Sequence, residues 1–241
     1  MAEQAATEDL GFSPQALRAK YREERDKRLH AEGNEQYVEV TGDFSHYVDD
    51  PYIDTPLQRE PLFDEVDVIV VGGGFGGLLT GARLTEAGIG RIRIIEKGGD
   101  FGGTWYWNRY PGAACDVESY VYLPLCEELN FVPKEKYTHA PEILAHSRAI
   151  GKKFSLYDYA CFQTEVEGMR WSEEHQRWTV TTNRGDSMTA KYVCMANGPL
   201  NRPKLPGIKG IDGYRGHTFH TSRWDYDYTG AVSYTHLTLP T

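Results

Sequence analysis

Residues 66–77, "VDVIVVGGGFGG", restrict the fold more than any other part of the chain. A short, almost unbroken β-branched run reads as a strand covered on both faces, as in a parallel sheet. Glycines follow at once, and Leu79, Ala82 and Ala87 then mark one apolar side of a helix that Gly88 can end. "RIRIIE" (91–96) reads as a second strand. Strand, glycine turn, helix and strand within about 30 residues make a βαβ unit. The spacing Gly72-x-Gly74-x-x-Gly77 is that of a dinucleotide-binding turn, in which the first glycine turns the chain, the second lets backbone approach a pyrophosphate, and the third lets helix and strand pack closely. The helix beginning near Gly76 aims free amides and a positive dipole end at that pyrophosphate. Glu96 follows Gly77 at about the 20-residue distance at which a carboxylate takes the ribose hydroxyls. An acid there repels a 2′-phosphate, so this turn suits FAD or NAD rather than NADP. The spacing alone also occurs in plain glycine-rich turns, and Glu96 alone reads equally as a solvated strand-end carboxylate; strand, helix and acid together favour the dinucleotide.

The rest of the chain is organised around this unit. Residues 1–60 form a polar leader containing one surface helix, with Ser13 as N-cap, Pro14 at the first helical position and a sparse stripe of Leu17, Tyr21 and Leu29. "VTGDFSHYVDDPYIDTPLQREP" (40–61) argues for irregular structure wrapping over something larger. A further helix is expected over 141–156. "FQTEVEGMRW" (162–171), "RWTVTTN" (177–183) and "MTAKYVCMANG" (188–198) then read as an antiparallel meander returning to the parallel sheet. The expected fold is α/β, a Rossmann-type domain with a parallel sheet and an antiparallel β-meander. With 35 acidic and 26 basic residues the net charge is −9, without the basic excess that grips nucleic acid or an anionic membrane. No apolar run approaches the roughly 20 residues that span a bilayer, and the N-terminus lacks the basic start and apolar centre of a signal peptide, so a cytoplasmic protein is expected. The four cysteines contain no C-x-x-C pair, which suggests reduced, mostly buried thiols and neither a metal site nor a disulfide framework.

The loop after the second strand, "GGTWYWNRYPGAACDVE" (102–118), lies at the carboxyl edge of the sheet, where open α/β folds bind ligands. Trp105, Tyr106 and Trp107 can wall a flat ring such as isoalloxazine, and Pro111-Gly112 can turn the chain so that Asp116 faces it. The plainer readings are aromatic core under a long loop and a loop-capping carboxylate.

Here "GGTWYWNRYPGAACD" resembles the short fingerprint of the Baeyer–Villiger monooxygenases, class B flavoprotein monooxygenases. "YRGHTFHTSRWD" (214–225) is similar to their second fingerprint, with Tyr214 in place of Phe, and "VCMANGPLNRPKLPGI" (193–208) resembles the strand and turn that close the first half of such proteins. The leader and aromatic loop look closest to the branch containing cyclopentadecanone monooxygenase. The resemblance implies a flavoprotein with two dinucleotide-binding domains. With NADPH and O₂ such an enzyme converts small-molecule ketones to esters or lactones through a flavin peroxide. By the same resemblance Gly72, Gly74, Gly76 and Gly77 hold the FAD diphosphate and Glu96 its ribose. Thr104, Trp105, Tyr106, Trp107 and Tyr122 line the flavin, and Val166 meets the adenine through its backbone. Ala114, Cys115 and Asp116 face the nicotinamide; Ala114 stands where the family usually has Arg. Asp116 would orient a catalytic Arg that this chain does not contain. His220 and Trp224 belong to a linker between domains, a hinge rather than a proton-transfer site. The implied division is an incomplete FAD-binding domain over 61–207, a linker over 208–230 towards an NADPH domain that is not present, and a non-native tail over 231–241. Two other readings stay open: an N- or S-oxidising flavin monooxygenase, and, for the chain by itself, an inactive FAD-binding module.

Overall fold

In the computed structural model, which describes residues 11–38, 40–200 and 202–230, the glycine turn lies at the head of the central strand of a six-stranded sheet. The segment 231–241 lies outside the described residues. The chain divides into two units, one drawn from the chain up to Glu39 together with Lys204–Tyr214, the other beginning at Val40 and resuming at Arg215. In the smaller unit, helix α1 (Pro14–Asp26) is capped by Ser13, whose Oγ accepts from Ala16 N at 3.3 Å, and none of its residues is buried. Tyr37–Val38 pairs antiparallel with Leu205–Pro206, and Gly207 N donates to Gln36 O at 2.7 Å.

The larger unit carries the sheet. Strand β1 (Glu65–Val71) leads through the glycine turn into helix α2 (Phe75–Glu86), and β2 (Ile92–Ile95) follows. Helix α3 (Ala140–Lys153), the short β3 (Ala160–Cys161) and the meander β4 (Val166–Ser172), β5 (Arg177–Thr182) and β6 (Ser187–Met195) complete the set. The order is β3-β2-β1-β6-β5-β4. β1 runs parallel to both neighbours, with Val68 opposite Ile92 and Val70 opposite Cys194, while β5 pairs antiparallel with both β4 and β6. From Val68 to Val71 β1 is apolar because both of its faces are covered there, while Glu65 and Asp67 near its start make ion pairs with Arg177 and Lys191. Val68 and Val70 pack with Leu78, Ala82 and Ile150, whereas Ile69 packs with Val180 and Met188. Fully burying each such aliphatic side chain contributes about 1.5–3 kcal/mol.

Element boundaries differ from the sequence expectations for local reasons. Gly88, at φ +76°, follows the Ala87 cap and stops α2 as expected. Helix α3 starts at Ala140 and ends at Lys153, because Ser155 takes a left-handed conformation and a 3₁₀ turn (Leu156–Tyr159) follows. The first meander strand begins at Val166 instead of Phe162. Gln163 sits at φ +51°, and the amides of Gln163 and Thr164 donate to Gly98 O and Glu96 O. Residues 40–60, grouped by sequence with the leader, belong to the larger unit. They include a 3₁₀ stretch (Gly42–Val48), and Arg59 grips the buried Asp186 through both terminal nitrogens at 2.6 and 2.7 Å. Burial opposes ionisation of Asp186, but Arg59, the Thr182 hydroxyl and Leu62 N together hold its pKa down to about 2.

Candidate functional site

The glycine turn separates two jobs. Gly72 has φ +110°, and a Cβ there would lie 2.4 Å from Ala196 O; at Gly77 it would lie 1.8 Å from Gly72 O. These two glycines are required by the fold itself. A Cβ on Gly74 would come no nearer than 3.4 Å to its nearest neighbour, Gly103 Cα, and one on Gly76 no nearer than 3.3 Å to Ala196 Cβ. The interior asks little of those two. Their bare backbone instead forms the wall of a groove of about 160 Å³, with Phe75, Glu96, Thr104, Trp105, Trp107 and Tyr122 among its other walls. Gly74 offers the first turn of α2 no side-chain cap, so that turn's amides are left for an external acceptor.

Glu96 stands at the end of β2, 6% exposed. Its Oε2 accepts from Gly73 N at 2.5 Å and its Oε1 from Gly98 N at 2.7 Å. Burial pushes its pKa up, and those two amides oppose the rise. Each oxygen keeps a further lone pair. Glu96 lines both the first groove and a second one of about 260 Å³, whose walls include Thr164, Val166 and Arg202. The two grooves share Gly72, Glu96, Lys97 and Asn197, and so form one trough along the carboxyl edge of the sheet.

The aromatic segment folds as a single helical turn (Thr104–Trp107) after Gly102 and Gly103, both at positive φ. Gly103 crosses the glycine turn so closely that a Cβ on it would sit 2.7 Å from Gly74 Cα. Trp105 and Trp107 face the groove, and Trp105 Nε1 donates to Tyr122 OH at 2.8 Å. Tyr106 does not line it. On a one-turn helix its side chain points elsewhere: its hydroxyl donates to Asp50 at 2.7 Å and accepts from Gly99 N at 2.9 Å, an anchor for the turn. Burial and that carboxylate raise the pKa of the phenol.

The segment expected to meet the nicotinamide is not brought into the trough. Cys115 is buried beneath it in the cluster of Trp105, Tyr106 and Trp107, while Ala114 and Asp116 are exposed. Asp116 makes no ion pair among the described residues. His220 caps the short turn Thr221–Arg223, with Nδ1 accepting from Ser222 N at 3.1 Å, and Trp224 Nε1 donates to Thr229 Oγ1 at 3.1 Å. Arg223, 7% exposed, lies 4.1 Å over the Trp107 ring. Sequence reasoning passed over Gly103, Lys97, Asn197 and Asp50. The doubled glycine before Thr104 was the readable signal for the first; the others are defined only by folding.

A parallel sheet whose first strand runs into a glycine turn, an acid at the end of the second and a trough across both describe an α/β dinucleotide-binding protein. The chain belongs to the pyridine nucleotide-disulphide oxidoreductase family, which it matches over residues 69–232, and its homologues are Baeyer–Villiger monooxygenases. It is 55% identical over 217 residues to neopentalenolactone D synthase of Streptomyces avermitilis, covering 90% of this chain and 36% of that protein. It is 50% identical over 222 residues to a Baeyer–Villiger monooxygenase of Streptomyces coelicolor, covering 91% and 37%. Among solved structures, the polycyclic ketone monooxygenase of Thermothelomyces thermophila superposes with a TM-score of 0.82 at 37% identity, over 91% of this chain and 38% of that one. A steroid monooxygenase bound to NADP superposes with a TM-score of 0.62 at 41% identity, over 68% and 32%. The chain thus spans little more than a third of the length of these relatives. No helix among the described residues is long and apolar enough to cross a membrane.

Proposed function

We propose that this chain is the FAD-binding part of a Baeyer–Villiger monooxygenase, which uses NADPH and O₂ to convert a ketone to an ester or lactone in the cytoplasm. The observation that carries the reading is the bare backbone at Gly74 and Gly76, open to the trough although a Cβ at either would find nearly enough room inside the protein. A diphosphate fits that place, with Gly72 and Gly77 holding the turn in shape. Glu96, with a lone pair left on each oxygen, takes the ribose. The backbone near Val166 borders the adenine end. Thr104, Trp105, Trp107 and Tyr122 wall the flavin end, and Tyr106 acts through the turn it anchors. When bound and reduced, the flavin supplies the activation of O₂ that the reaction needs. The chain's own residues bind, orient and exclude water. Ala114 and Asp116 form the nicotinamide side with Cys115 buried behind them, and the exposed Asp116 is available to hold and orient a guanidinium from beyond this chain by a charge-assisted hydrogen bond. His220 and Trp224 serve as a structured link and not as acid or base. Residues 61–207 would then form the FAD domain and 208–230 the link.

The test has two parts. The 241-residue chain is titrated with FAD, and binding is expected to quench flavin fluorescence. A polypeptide extended to the relatives' length is assayed for lactone from a cyclic ketone with NADPH and O₂, its yellow colour bleached by NADPH and restored by air. A colourless protein that cannot be reconstituted overturns the reading, and oxidation of amines or sulfides alone replaces it with an N- or S-oxidising one.

A further inference from the structure

A second cavity, of about 380 Å³, shares just one wall, Trp105, with the glycine groove. That is the small end of the range that accepts drug-sized molecules. Its lining is mostly apolar, with Trp105, Pro111 and Leu144, carries polar atoms on Tyr110, His139 and Tyr226, and includes no carboxylate. One cation faces it. The guanidinium of Arg109 is stacked with its carbon 3.8 Å from the Tyr52 ring centroid and 4.6 Å from that of Tyr106. Its Nε donates to Tyr106 O at 2.8 Å, and Tyr226 OH donates to Arg109 O, fixing the residue from a second element. Its two terminal nitrogens make no hydrogen bond and no ion pair among the described residues. The nearby Asp50 is engaged elsewhere, its Oδ2 accepting from Tyr106 OH and Gly99 N. Arg223, stacked on Trp107, lines a neighbouring cavity and not this one. Burial lowers the pKa of Arg109, as expected of a cation short of partners.

A partly buried charge is ordinarily paired. Two tyrosine faces compensate part of the cost, but the edge of the guanidinium that matches a carboxylate in bidentate fashion stays available. We propose that this cavity binds an organic monocarboxylate, its apolar body against Trp105, Pro111 and Leu144 and its carboxylate on the terminal nitrogens of Arg109. This site is distinct from the FAD trough and does not depend on FAD being the ligand there.

The probes are phenylacetate and its neutral isostere phenylacetamide, titrated into the 241-residue chain by calorimetry. Phenylacetate is expected to saturate, and phenylacetamide to bind at least about tenfold more weakly, the scale of one charge-assisted pair. Arg109→Met should lose about tenfold or more for the acid and little for the amide, and Arg109→Lys should retain part of the difference. Equal binding of acid and amide, or no binding of either at about 10 mM, where a millimolar Kd would register, overturns the proposal. The comparison of acid with amide needs no variant, so it decides the question even if Arg109→Met fails to fold. FAD affinity is titrated separately, which keeps failure at the trough distinguishable from failure here.

Discussion

Replacing Gly77 and Gly74 one at a time by alanine should split stability from cofactor binding. At Gly77 the new Cβ would lie 1.8 Å from Gly72 O, whereas ordinary contact begins at 3.4 Å, so helix α2 and the turn must part by about 1.6 Å (3.4 − 1.8). Overpacking of this kind costs about 3 kcal/mol or more when the obstacle is backbone. Alanine's better helix propensity returns only about 1 kcal/mol. A net loss of about 2 kcal/mol or more is therefore expected in urea unfolding of the chain without FAD. At Gly74 the new Cβ meets Gly103 Cα at 3.4 Å and needs no shift, and φ −78° suits alanine. The loss there should stay within about 1 kcal/mol, that of a weaker N-cap. Gly74 lines the trough and its bare backbone is the proposed diphosphate contact, so FAD affinity should fall at least about tenfold, or 1.4 kcal/mol. Urea unfolding gives the first quantity and quenching of flavin fluorescence the second. If Gly74→Ala bound FAD like the parent, or Gly77→Ala were as stable as the parent, the division of labour among these glycines would be wrong.

Further expectations follow from the same geometry. Asp186, with its pKa lowered from 3.8 to about 2, should contribute about 2 kcal/mol that is fully present above pH 3.8 and lost as pH falls through 2. The difference in urea stability between the parent and Asp186→Asn should accordingly shrink between pH 7 and pH 2; a constant difference refutes the assignment. Glu96→Gln turns an NH₂ towards the amide of Gly73 or Gly98, both donors. It should lower stability by about 1 kcal/mol and weaken FAD binding, and an unchanged thermal midpoint counts against it. Trp105→Phe leaves Tyr122 OH without its indole donor and should cost about 1 kcal/mol in thermal unfolding.

The sequence by itself determined the βαβ unit, the return of the meander to the parallel sheet and the placement of Gly72, Gly74 and Gly77 in the turn and of Glu96 just after the second strand. Each rests on local periodicity or on spacing within one continuous segment, which the backbone turns directly into geometry. Only the tertiary structure decided what depends on contacts between distant segments. It divided the glycines between fold and trough, because that depends on how close Gly72 O, Ala196 and Gly103 come. It turned Tyr106 towards Asp50, since three aromatics on one helical turn cannot all face the same groove. It joined residues 40–60 to the larger unit through Arg59 and Asp186, a pair separated by 127 positions that neither charge pattern nor periodicity announces. It also stacked Arg109 against two tyrosine rings, with its terminal nitrogens making no hydrogen bond or ion pair among the described residues, a condition no linear motif records because it depends on contacts between distant segments.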